Sequence, residues 1–200
     1  MLVKKELASF SERYNRLYYA FRNIPNWRQS IKKGVLSKHF NSRIMLAVTE
    51  VNGCAVCSYG HTTMALESGM SQLEINELLG GGMTEVPLDE QMAILFAQHV
   101  ADNNGKVSKK SWHNLVKEYD GKLSKAILSS TQIIMMGNTF GIPIGSFLSR
   151  VTTNEAFKKD DRSTIYYELG VILSLIGMLP VALVHSIVAS ALKLPIADCY

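Results

Sequence analysis

The chain has little of what several protein classes require. It carries three cysteines, two of them separated by only two residues, so no framework of disulfides can staple it together. Neither sign of charge is blocked: 21 basic and 17 acidic residues leave a net +4, and the pairs Lys4-Lys5, Lys32-Lys33, Lys109-Lys110 and Lys158-Lys159 are scattered. A nucleic-acid footprint gathers such charge on one face, whereas scattered pairs describe a solvated surface. The opening Met1-Leu2-Val3-Lys4-Lys5-Glu6 lacks the apolar core of a secretory signal. Alternation of apolar and polar residues, the mark of a half-buried strand, is scarce. No second Cys-x2-Cys exists to complete a zinc site, and Ser58 rather than histidine follows Cys57, against covalent haem attachment. What remains is the expectation of a cytoplasmic, largely helical protein. Its 200 residues, 47% of them hydrophobic, suffice for one sizeable core.

Helical spacing is present almost throughout. Leu7, Phe10, Tyr14, Leu17 and Phe21 recur every three or four residues and predict a first helix ending at Ile24-Pro25-Asn26. Leu36 to Val51 gives a second apolar face, stopped at Asn52-Gly53, and Cys54 opens a third helix that Gly69 closes. Ser71-Gln72-Leu73-Glu74 reads as a capping box for a short helix to Leu79, before the flexible Gly80-Gly81-Gly82. Pro87 with Asp89-Glu90 starts another helix, Asp102 to Gly105 turns, and Ser108 caps a helix that Gly121 closes. Leu123 to Met136 predicts a helix ending near Gly137-Asn138, with a break at Gly141-Ile142-Pro143. Gly170 to Leu192 has no formal charge beyond a possible one on His185, long and apolar enough to span a membrane. Pro180 divides that run, which favours two short helices packed in the protein or between subunits over membrane insertion. The helices before and after Asn52-Gly53 and Asn104-Gly105 echo each other as two hairpins.

Chemistry concentrates at Asn52-Gly53-Cys54-Ala55-Val56-Cys57-Ser58-Tyr59-Gly60-His61. Glu50, Cys54, Cys57 and His61 are spaced 4, 3 and 4, one face of an unbroken helix. The Asn52-Gly53 break places Glu50 on the preceding helix, so the carboxylate must reach the other three across a bend. Three readings fit. Two cysteines and His61 can begin a metal site. A dithiol that closes to a disulfide beside an acid/base group is redox chemistry, with Cys54 near a helix N-terminus that favours thiolate. Two buried cysteines and a satisfied histidine can also be plain core. Two cysteines in phase with His61 and Glu50 favour function over core. His39, His99, His113 and His185 read as packing or surface residues, the methionines as core filler, and Cys199 as incidental.

The stretch Ala47 to His61, with its continuation through Ala65, Gly69-Met70-Ser71, Glu74-Ile75 and Leu78-Leu79, resembles the core motif of the alkylhydroperoxidase D and carboxymuconolactone decarboxylase family. The likeness extends over roughly residues 30–150. It implies an all-α bundle built from helical hairpins: a domain over residues 1–162 with its core motif at 36–80, and an apolar C-terminal helical extension, 163–200, packed on it or at an oligomer interface. It further implies a thiol-dependent peroxidase or disulfide oxidoreductase that oligomerises with its own copies. By the motif, Cys57 is the peroxidatic cysteine, Cys54 its resolving partner, and His61 part of a proton relay. The family's relay glutamate, twelve residues before the first cysteine, is replaced by Ser42, which leaves Glu50 to supply the carboxylate. The resemblance implies no metal and no cofactor beyond the redox-active disulfide, a hydroperoxide substrate, a lipoylated or thioredoxin-like dithiol donor, and no nucleic acid. The competing readings are a non-catalytic helical protein whose Cys/His cluster binds metal or senses oxidation, and a membrane-associated family member.

Overall fold

A computed structural model describes residues 5–199 of the chain. They form eight α-helices: α1 (Phe10–Lys32), α2 (Lys38–Asn52), α3 (Ala55–Glu67), α4 (Gln72–Leu79), α5 (Leu88–Asp102), α6 (Lys109–Glu118), α7 (Gly121–Val151) and α8 (Ile165–Ala191). The expectation of an all-α bundle holds. Extended pairing among the described residues is limited to an isolated bridge between Val107 and Cys199. α7 is the axis against which α1, α2, α3, α5, α6 and α8 all pack.

Local punctuation sets most boundaries. Ser37, Ser71 and Ser108 cap α2, α4 and α6, each hydroxyl accepting an N–H from the first turn, which satisfies a donor the helix leaves unpaired. Gly53 ends α2 in the left-handed conformation, at φ 68°, where a side chain would be strained. The capping box at Ser71 is only half made. Glu74 N–H donates to Ser71 Oγ at 3.1 Å, but the Glu74 carboxylate turns away to Arg43 Nε. Arg43 also donates to Glu90 Oε2 at 2.9 Å, so one guanidinium ties α2 to α4 and α5.

Four expected breaks do not occur where the sequence placed them. α1 runs through Pro25, α7 through Gly137, Gly141 and Pro143, and α8 through Pro180. Gly121 does not close α6; it opens α7 behind the Asp120 cap. A proline inside a helix forfeits one hydrogen bond and crowds the preceding turn, at about 3 kcal/mol. Anchors on both sides offset that cost. Around Pro25, Ser129 Oγ donates to Asn23 at 2.8 Å, Asn26 donates to Ser129 at 2.9 Å, and Trp27 Nε1 donates to Asn41 at 2.8 Å. Around Pro180, the fully buried Glu168 meets Arg150 at 2.8 and 3.0 Å, while His185 Nδ1 lies 2.9 Å from Tyr14 Oη.

The main core is formed by α2, α4, α5 and α7 around Ile44, Leu46, Val48, Ile75, Ile94 and Ile127. A second, smaller cluster joins α1, α7 and α8 through Leu17, Phe140, Val171, Met178 and Ala182. α8 buries one face there and exposes another: Leu173, Ile176, Val184 and Ile187 are each more than 60% exposed. With 27 residues and an 18-residue stretch of mean hydropathy 2.4, it is the described helix long and apolar enough to cross a membrane by length and composition. Beyond α8 the chain folds back across α1, where Asn23 Nδ2 donates to the Ile196 carbonyl at 2.8 Å and Val107 N–H to the Asp198 carbonyl at 2.8 Å.

Candidate redox site at the start of α3

Gly53 reverses the chain and delivers Cys54 to the N-cap of α3. Cys57 follows in the first turn, and the two sulfurs are bonded across a Cα–Cα distance of 5.3 Å. Cys54 is 1% exposed; Cys57 is half-buried. The Cys57 N–H points at Cys54 Sγ, 3.4 Å away. Cys54 therefore occupies the position where a helix N-terminus best supports negative charge on sulfur, while Cys57 is the less buried of the two residues.

The disulfide is roofed by α7, and Gly141 and Gly145 make this possible. Gly137, Gly141 and Gly145 stand four residues apart on one face. A methyl group at Gly141 would lie 2.7 Å from Cys57 Sγ and 2.9 Å from Cys54 Sγ, and one at Gly145 would lie 3.1 Å from Val56 Cγ1. Cys57 Sγ is 3.7 Å from the Gly137 carbonyl, which can accept from the thiol when the pair is reduced. The sequence signal for this roof was the spacing of those glycines, of which Gly137 and Gly141 had been read as helix breaks.

His61 lies one turn beyond Cys57 on α3. Burial lowers its pKa, because charging the ring means removing it from water. The imidazole is thus neutral near pH 7 and ready to accept a proton. Glu50 sits in the last turn of α2, and burial raises its pKa. Its carboxylate faces the loop after α4, with Oε1 3.8 Å from the place a side chain on Gly81 would occupy. Among the described residues no hydrogen bond joins Glu50 to His61, Cys54 or Cys57. Cys54, Cys57 and His61 share one helix, and the bend separates Glu50 from them. Ser42, half-buried on α2, holds the place of the family glutamate.

The junction before Cys54 is held by a residue that motif reading passed over. Arg162, in the loop between α7 and α8, donates to the carbonyls of Asn52 at 3.2 Å and Gly53 at 3.4 Å, and it is fixed by Asp160 at 2.6 and 2.9 Å. A cation at the C-terminus of α2 satisfies carbonyls the helix leaves open. Thr49 and Asn138 tie α2 to α7 just before it, at 3.1 Å. No signal in the local sequence announces Arg162, which lies 108 residues beyond Cys54 in the chain.

Among the described residues, no three His, Cys, Asp or Glu side chains stand together as a metal-holding group. His39 instead meets the Ser68 carbonyl at 2.6 Å, and His185 stacks on Tyr18. Cys199 is exposed and unbonded.

Comparison with the curated proteins and with the solved structures gave no match. A sequence model of the carboxymuconolactone decarboxylase family matches residues 16–95. This span begins earlier and ends earlier than the likeness read from the motif, and it holds Glu50, Cys54, Cys57 and His61. From α1 to the middle of α5, then, the chain is similar to the carboxymuconolactone decarboxylase family.

Proposed function

We propose that the protein is a thiol-dependent peroxidase of the alkylhydroperoxidase D type. One observation carries this reading: a bonded Cys54–Cys57 pair at the start of α3, with the buried Cys54 at the helix cap and the half-buried Cys57 a turn before His61. In the reduced enzyme, His61 takes the Cys57 proton. The Cys57 thiolate attacks the terminal oxygen of a hydroperoxide; an S–O bond forms, the O–O bond breaks, and the alcohol leaves with the proton His61 holds. The Cys54 thiolate then attacks Cys57 sulfur, forming the disulfide and releasing hydroxide, which leaves as water once protonated. Glu50 exchanges protons with this relay through solvent. An external dithiol, of the lipoylated or thioredoxin-like class, attacks the Cys57 sulfur. Cys54 leaves as thiolate, stabilised by the N–H groups of the first turn of α3, and a second thiol of the donor completes the reduction. Met64, 57% exposed and two turns beyond Cys57 on the same face of α3, gives an apolar edge for such a donor. The enzyme works in the cytoplasm as an assembly of identical copies, joined through the exposed face of α8.

The test is mass spectrometry of the reduced protein after addition of an organic hydroperoxide. Wild type loses two hydrogens, mapped to a Cys54–Cys57 link, and consumes peroxide continuously under a dithiol. Cys54→Ser stops at the sulfenic acid on Cys57. Peroxide consumption by Cys57→Ser at the wild-type rate defeats the mechanism.

A further inference from the structure

Three arginines of α1 are buried: Arg13 and Arg16 at 7% exposure and Arg22 at 9%. Two of them are spent on structure. Arg13 donates to the Ala8 carbonyl at 2.9 Å and lies over the Tyr167 ring. Arg22 donates to Ser190 at 2.5 Å and to the Leu194 carbonyl, pinning the C-terminal tail. Arg16 differs. It makes no hydrogen bond with any described residue, and no described carboxylate lies within ion-pair distance; its Nε, like those of Arg13 and Arg22, is buried without a partner. Burying a guanidinium this way is costly unless something supplies acceptors.

Arg16 lines a cavity of about 100 Å³ between α1, α7 and the N-terminal segment, beside the end of α2. Lys5 lines it too. Its ammonium donates to Asn52 Oδ1 at 3.2 Å and to the Ala101 carbonyl, and desolvation together with repulsion from Arg16, partly offset by Asp102 and Glu12, lowers its pKa to about 8. Asn138 and Thr139 of α7 supply polar wall, and Met135 and Ile142 supply apolar wall. Gly105, at φ 68°, lets the guanidinium lie directly on the backbone, since a side chain there would overlap Arg16. Glu12 and Asp198 act on Arg16, and Asp102 and Glu12 on Lys5, only at longer range, so among the described residues neither cation has a carboxylate in ion-pair contact. The wall also carries two acids, Glu6 and Glu12, and a third cation, Arg162, which is held by Asp160. Glu12 is engaged with the Ser9 N–H and hydroxyl at 2.8 Å, yet both carboxylates disfavour a dianion more than a monoanion.

We propose that this cavity is a binding site for a small carboxylate, held by the Arg16 guanidinium and the Lys5 ammonium. A carboxylate matches the planar fork of a guanidinium and leaves one oxygen for the ammonium. The site is separate from the disulfide. Asn52, which forms part of its wall, stands two residues before Cys54, so occupancy bears on the junction that presents the cysteines.

Acetate serves as the probe, titrated into the full-length protein at constant ionic strength with chloride as balance. Binding is followed by calorimetry and by the rise in unfolding temperature. Saturable binding is expected in wild type, weakened about tenfold or more in Arg16→Gln and in Lys5→Gln, and partly retained in Arg16→Lys. If Arg16→Gln does not fold, Lys5→Gln and Arg16→Lys carry the test. No saturable binding, or equal affinity in wild type and the variants, overturns the site. Tighter binding of inorganic phosphate than of acetate overturns the assignment to a carboxylate. None of these readouts uses peroxidase activity, so failure here leaves the Cys57 mechanism standing, and the reverse.

Discussion

At the scale of single residues, His61 and Glu50 are shifted by burial in opposite directions, and each shift has a consequence in pH. For His61 the folded-state pKa lies below the ordinary 6.5. Above that value both folded and unfolded chains hold a neutral ring and nothing is gained or lost. As pH falls below it the unfolded chain binds the proton first, so the native state loses stability until the folded-state pKa is passed. His61→Gln removes this loss. Urea unfolding at pH 7 and pH 5.5, with the cysteines held oxidised in both proteins, should show a smaller acid loss in the variant. Parallel stability curves would mean that the ring is not neutral and buried in the native protein. Glu50, with its folded-state pKa above 4.5, gives the reverse sign: its ionisation costs the native state stability as pH rises through that pKa. That carboxylate gains neither an ion pair nor a hydrogen bond from the cysteine helix, which suits a group exchanging protons with water at the edge of the site.

At the scale of elements, the seat of α3 under α7 fixes what the dithiol can do. Gly141→Ala places a methyl group less than 3 Å from both sulfurs. A better helix former gains up to about 1 kcal/mol, while overpacking costs about 1–3 kcal/mol. In the dithiol state each sulfur can turn away separately; in the disulfide neither can. The variant should therefore favour the dithiol, with its equilibrium against glutathione moved about tenfold, or about 30 mV. Gly137→Ala, whose methyl would meet only Ile134 of its own helix at 3.7 Å, should raise stability by up to about 1 kcal/mol and leave that equilibrium unchanged. An equal shift in both variants would detach the effect from the roof. The same helix shows where sequence reading stops. The α2–Gly53–α3 corner was legible because its signal is local: a left-handed glycine followed by a capping residue. Pro25, Pro143 and Pro180 carry an equally local signal for a break, but partners distant in sequence override it: Ser129 and Asn41 beside α1, Arg150 and Tyr14 beside α8. Gly141 was legible as a glycine, but its role depends on a disulfide more than eighty residues earlier in the chain. Arg16 and Arg162 were invisible for the same reason, since a lone arginine announces neither the carbonyls it caps nor the cavity it lines.

At the scale of the whole molecule, the question is what covers α8. Leu169, Leu173, Ile176, Pro180, Leu183 and Ile187 are spaced 4, 3, 4, 3 and 4, the seam of one helix laid along another. A helix of 27 residues is about 40 Å long, enough for a pair of them to approach the roughly 1,200–2,000 Å² of a stable interface. A bilayer is the competing cover, and the neighbours of α8 argue against it. The buried face of α8 is pinned to α1 through Tyr14 and Arg22 and to α7 through Arg150. Insertion would carry the arginines of α1 into lipid or strip α8 from both helices, leaving Glu168 without its partner. A second copy, related by a twofold axis, covers the same residues and disturbs none of these bonds. Light scattering should then give a multiple of 22.2 kDa for wild type and a monomer for Leu173→Lys/Ile176→Lys, with helix content unchanged because both side chains are about 70% exposed. Monomeric wild type that sediments with lipid vesicles would give α8 to the membrane instead, and the Tyr14, Arg22 and Arg150 bonds would then have to open for the helix to insert.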